Sequence, residues 1–228
     1  MKGKHKLWQT LIMIALIGFI MTSCGSASEV APLTLSGQIL EFVGNGIHYP
    51  SDTLNGTLTS AVSGEGTVTN GQMNFTIGTP YPSVFQSVEE FFHTILDPEG
   101  HSYENVVFSV TGAKVAFFSD LEGETETGDA FIVQRVGTNS DDGLFEAVSY
   151  VFADRDITIT ADGRVGEEDY IIVFSNIELR LQRGWNVLHH KINFFEFPFL
   201  TTIEVISRDG FPYDGFIWAN FPETTAVR

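Results

Sequence analysis

Apolar and polar residues alternate with a period of two through most of this chain, and that pattern excludes a helical body. Met73, Phe75 and Ile77 are interleaved with Gln72, Asn74 and Thr76, and Ile177, Leu179 and Leu181 with Glu178, Arg180 and Gln182. Ile157 and Ile159 alternate with threonines, and Val106, Phe108 and Val110 form another apolar face. Successive side chains of a strand point to opposite sides, so each run reads as a half-buried β-strand. Turn dipeptides fall between the runs. Asn70-Gly71 separates Gly66–Thr69 from Gln72–Ile77, a strong hairpin signal. Thr111-Gly112, Asp162-Gly163 and Asp209-Gly210 punctuate later segments. About a dozen strands follow, too many for one open sheet without curling or splitting. The expected fold is all-β: an antiparallel β-sandwich or barrel-like pair of sheets with one short amphipathic helix.

That helix is expected from Ser83 to about Leu96, where Val84, Val88, Phe91, Phe92 and Ile95 fall on one face. Ser83 and Gln86 have the form of a capping box, and Asp97-Pro98-Glu99-Gly100 stops the run. Leu121–Asp129 is acidic and without apolar period, so it reads as a surface loop and as the place where residues 32–228 could subdivide. Twenty phenylalanines supply the large buried areas that such a body needs in the absence of disulfides.

The N-terminus carries a different signal. Lys2, Lys4 and Lys6 precede the apolar run Leu11–Met21, and Thr22 and Ser23 lead into Cys24, the only cysteine. A run this short is an export-signal core, since a spanning helix needs about 20 apolar residues. The order predicts a signal peptide over 1–23, lipidation of Cys24, and a tether over 24–31. Two or three acyl chains hold firmly, each buried methylene adding about 0.8 kcal/mol. The expected partner is therefore the membrane, through acyl chains. Met21 stands where such a signal usually has Leu.

Loss of Lys2, Lys4 and Lys6 with the signal takes the formal charge from −17 to −20. So acidic a body repels phosphate backbones, which excludes nucleic acid as a partner. No G-x-S-x-G elbow, phosphate-binding glycine loop or H-E-x-x-H zinc pair occurs. No cofactor is expected. His189 and His190 would point to opposite faces of a strand and could not readily share an ion. His93 and His101 flank the end of the helix, and zinc there would need Asp97 or Glu99 as a further ligand. Glu122, Glu124, Glu126 and Asp129 have the oxygen-rich, glycine-bearing composition of a calcium loop without the spacing of an EF-hand. Asp154-Arg155-Asp156 reads as an ion-paired lead into a strand. Trp185 and Asn186, after a turn at Arg183-Gly184, form either a core anchor or a platform for a sugar. Phe194–Phe199 is expected to be buried on both faces.

Three segments carry a resemblance. Gly66–Thr76 resembles the "GTVTNGKLSFTL" hairpin of small lipoproteins of spirochaetes and Bacteroidetes. Tyr150–Ile159 is similar to their "YVYADRDVTI" strand, and Leu179–Asn186 to their "LNLKKGWN" segment, with Arg183 where Lys is usual. The helix after Pro82 is a further departure. The resemblance implies an envelope lipoprotein with a β-rich body and carries over no catalytic residue. Gly25-Ser26 lacks the Asp associated with inner-membrane retention, which favours the outer membrane. The resulting expectation is a non-enzymatic, membrane-anchored protein that presents a binding surface to a protein or carbohydrate. Two alternatives stand beside it. One is a structural envelope component. The other is a carbohydrate-active hydrolase with dispersed carboxylates beside Trp185, Trp218 or Tyr213.

Overall fold

The computed structural model describes residues 30–43, 47–137, 144–167, 171–195, 200–208 and 216–221. The signal segment, Cys24, Asp209-Gly210 and Tyr213 lie outside the described residues. Residues 31–228 form one compact unit. Its first strands are β1 (Leu33–Val43), β2 (Ile47–Pro50), β3 (Gly56–Thr59), β4 (Glu65–Thr69), β5 (Gln72–Ile77) and β6 (Gln86–Ser87). After a helical stretch come β7 (Tyr103–Phe108), β8 (Lys114–Phe118), β9 (Asp120–Thr125), β10 (Ala130–Gly137), β11 (Leu144–Ala153) and β12 (Ile157–Gly163). The last are β13 (Val165–Glu167), β14 (Ile171–Phe174), β15 (Ile177–Leu181), β16 (Gly184–Phe195), β17 (Leu200–Arg208) and β18 (Phe216–Phe221).

Seven strands close on themselves in the order β10–β18–β1–β5–β4–β3–β9, with β9 returning to β10. The Asn70-Gly71 turn joins β4 to β5 as expected, with φ of 49° and 72° at its two central residues. Both angles are positive, the geometry that matches the twist of a two-residue hairpin. Leu33 and Leu35 of β1 lie opposite Ile77 and Phe75 of β5, and all four are buried, while Thr34 and Thr76 face solvent. A barrel this small must be filled by side chains, and large rings need room. Here glycines give it. A Cβ on Gly123 would stand 2.2 Å from the Phe131 ring opposite. One on Gly66 would meet Phe75 at 2.7 Å, and one on Gly37 would meet Trp218 at 2.9 Å.

The sheet then leaves the barrel as a wing. β10 pairs with β11 only at Arg135–Val148 and Val136–Ala147, and the order continues β11–β16–β17–β14–β13. β8 pairs with β11, and one residue later, past Ser119, the chain pairs as β9 with β10. One run of chain thus serves both regions. A second sheet, β15–β12–β7, packs on the wing. Between them lies a core that includes Phe91, Phe92, Val151, Ile159, Leu179 and Leu188.

Three expectations are corrected. The helix does not start at Ser83: Pro82–Val84 is a 3₁₀ turn, and Gln86–Ser87 pairs with β8 instead. The helix α1 (Val88–Phe91) continues as a π turn, Phe92–Leu96. Its cap is Ser87, whose Oγ accepts the Glu90 N–H at 3.0 Å. Leu121–Asp129 is not a loop throughout, because β9 spans Asp120–Thr125 and completes the barrel between β3 and β10. Phe194 is 52% exposed, because the core's outermost members on β16 and β17 are Leu188 and Val205. Residues 196–199 of that aromatic stretch lie outside the described residues.

Candidate functional site

The outer face of the barrel carries hydroxyls and carboxylates in register. Thr57 of β3 lies opposite Thr67 of β4 and Glu124 of β9, and Thr59 opposite Glu65 and Glu122. A groove of about 600 Å³ runs here, lined by Thr57, Thr59, Glu122, Glu124, Ala130 and Ile132 among others. A neighbouring depression of about 530 Å³ adds Thr67, Thr69 and Glu126. Glu122 and Glu124 point the same way, spaced about 6–7 Å apart by the strand rise. Glu126 and Asp129 sit in the turn that follows. There Thr127 Oγ1 donates to Asp129 Oδ2 at 2.7 Å, and the Asp129 N–H donates to Thr125 Oγ1 at 2.9 Å. Asp129 is thus engaged by its own turn. Among the described residues, no three His, Cys, Asp or Glu side chains are gathered to hold a metal ion.

Trp185 and Asn186 are built into the packing. The Trp185 indole N–H donates to the Gly78 carbonyl at 3.1 Å, and its ring meets Phe118 and Phe152 edge-on. Gly184 takes φ of 105°, and Asn186 closes the turn around it. Its Nδ2 donates to the Gln182 and Gly184 carbonyls at 2.7 and 2.9 Å, while its Oδ1 accepts the Gln182 N–H. Trp218 likewise donates to the Ser36 carbonyl at 3.2 Å, inside the barrel wall. Neither indole offers its N–H to a ligand. The Asp154-Arg155-Asp156 lead has the expected ion pair. Arg155 donates to both carboxylate oxygens of Asp154, and the Arg155 hydrogen bond holds that carboxyl below its usual range. Asp97, near His93 and His101, accepts the Ser102 N–H at 2.9 Å and braces its own turn. Burial, and then the Asp97 charge, push the Tyr103 hydroxyl up to about 12.

A second polar cluster lies where the wing meets the barrel. His189 and His190 point to opposite faces of β16, as their adjacency predicts, and each finds a partner on β11. His189 Nε2 stands 3.0 Å from Glu146 Oε1, with both side chains largely buried. His190 Nε2 and Ser149 Oγ are 2.6 Å apart. Burial, reinforced by the His189 charge, pulls the His190 imidazole down to about 4. Arg135 completes the His189 face, its guanidinium 5.5 Å over the Trp218 ring. Sequence reasoning saw the histidine pair but missed Glu146, Ser149 and Arg135. Only the register of β10, β11 and β16, which spans 40 residues or more of chain, brings them together. The Ser149–His190 contact has the look of a nucleophile and its base. Ser149 is 1% exposed, however, and Glu146 lies on the other face of the sheet, so the pair cannot extend into a relay of the triad kind. It ties β11 to β16.

Comparison of the chain with family models, with curated proteins and with solved structures finds no match.

Proposed function

We propose that this chain is a lipid-anchored protein of the bacterial envelope, held at the outer membrane through Cys24, whose β-rich body presents a binding surface and performs no catalysis. The observation that carries this reading is the order of basic start, short apolar run and Thr22-Ser23-Cys24. Residues 24–31 are enough for a tether. The hydroxyl- and carboxylate-lined groove beside β3 and β9 is the surface best suited to a polar ligand, a carbohydrate or a protein loop. The unusual acidity of the body supports anchoring by acyl chains rather than by charge, since anionic head groups repel it.

The test is metabolic labelling with a palmitate analogue, comparing the wild-type chain with Cys24→Ser. The proposal expects label in the membrane fraction of the wild type, and a soluble, unlabelled variant. Wild-type protein without label, or a Cys24→Ser variant that keeps it, contradicts the anchor. Protease treatment of intact cells, with a periplasmic protein as lysis control, then assigns the side of the membrane. Shaving directs the ligand search to the cell exterior, and protection directs it to periplasmic partners.

A further inference from the structure

The two histidines of β16 have different surroundings at one point of the wing. Glu146 stands 3.0 Å from His189 on one face of β16, whereas among the described residues of β11, β16 and β17 no carboxylate lies on the face of His190. On that face β11 supplies Ala147 opposite and Ser149 alongside, and β17 supplies Val205 opposite. The neighbours on β16 itself are Leu188 and Ile192. Across the core the three-stranded sheet contributes buried apolar side chains and the Tyr103 phenol. The helical stretch ends in Asp97, whose carboxylate is held by the Ser102 N–H. The remaining charges nearby, Lys191 and Glu204, lie opposite each other or Glu146 on the His189 face, with Arg135 one strand further on.

We propose that this pair is an acid-sensitive seam: protonating His190 sets a charge beside His189 on a largely apolar face, where β11, β16 and β17 supply no counter-charge, and loosens β16 and β17 from β11 while the barrel stays closed. The hydrogen bond to Ser149 survives protonation, because the oxygen then accepts from the imidazolium. Desolvation and the neighbouring His189 are what oppose the charge. The barrel's ring of strand pairings includes neither β11, β16 nor β17.

The direct test is an NMR titration of the histidine Cε1–H resonances in the full chain, with His190→Gln for assignment. The seam predicts one imidazole that stays neutral well below pH 6, and wild-type opening of the wing that rises roughly 30-fold between pH 7.5 and pH 5. That rise is read as hydrogen exchange in β16 peptides, corrected for the intrinsic rate, and His190→Gln flattens it. A His190 imidazole titrating at the ordinary value, or an acid response unchanged in His190→Gln, overturns the proposal. So does an equal rise in peptides of β4 and β5. Should His190→Gln fail to fold, the wild-type titration and the exchange contrast between regions still decide.

Discussion

The barrel and the wing are made from one continuous sheet, yet they solve the packing problem in different ways. The barrel has no free edge along its ring of seven and is filled from one side, with phenylalanine and tryptophan rings seated over glycines on neighbouring strands. The wing is open, ends at the short strand β13, and needs a second sheet and a helical turn to cover its face. Closure removes edges, whereas an open sheet must have its edges and ends managed. Four of the six exposed large hydrophobics among the described residues, Phe145, Val165, Ile171 and Phe194, lie on wing strands. Tolerance to change in this molecule therefore depends on the mode of packing more than on burial.

The sharpest way to break that contrast is Gly123→Val. The new side chain would occupy the space of the Phe131 ring, and a loss above about 3 kcal/mol, or no folded protein, is expected in a thermal melt. Phe92→Ala empties a fully buried site in the wing core and should cost about 3–5 kcal/mol in urea unfolding. A barrel that tolerates the first change better than the wing tolerates the second would reverse the ranking. Alkali offers a gentler probe of the wing. The Tyr103 hydroxyl has a raised pKa when folded, so the unfolded chain loses its proton first, and stability falls as pH rises from 10 towards 12. Tyr103→Phe should remove that slope in melts recorded between pH 9 and pH 11. Ser87→Ala deletes the helix cap and should cost about 1 kcal/mol by denaturant titration. Gly78→Ala has nothing within 4 Å of the added methyl and should shift stability by less than about 0.5 kcal/mol. A large effect at that open glycine would show that steric space is not what separates tolerated from forbidden glycines here.

Much of the fold was legible where residues spoke for themselves. The alternation in Gln72–Ile77 and Ile177–Leu181, the Asn70-Gly71 turn and the Arg183-Gly184 turn all report local geometry, and the structure has them. What stayed hidden depends on partners distant in sequence. β9 is hard to read in the sequence because only Leu121 of its inward positions is apolar, while the space at Gly123 is filled by Phe131 on the next strand. The sequence misplaces the helix start because Gln86 and Ser87 answer to Val115 and Lys114 rather than to their own neighbours. The polar seam was invisible for the same reason: nothing near His189 or His190 in sequence announces Glu146 or Ser149. The sequence around Trp185 fits either anchor or platform, and only its bond to Gly78, 107 residues away, decides for the anchor.

The central claim is that one sheet has a closed, cooperative half and an open half that yields first. Native-state hydrogen exchange of the full chain at neutral pH tests it most directly. Amides of β1, β4 and β5 should exchange only through global unfolding, with free energies equal to the equilibrium stability. Those of β13, β14 and β17 should exchange through smaller, local openings. The same opening free energy in both regions, or weaker protection in the barrel than in the wing, would contradict the account.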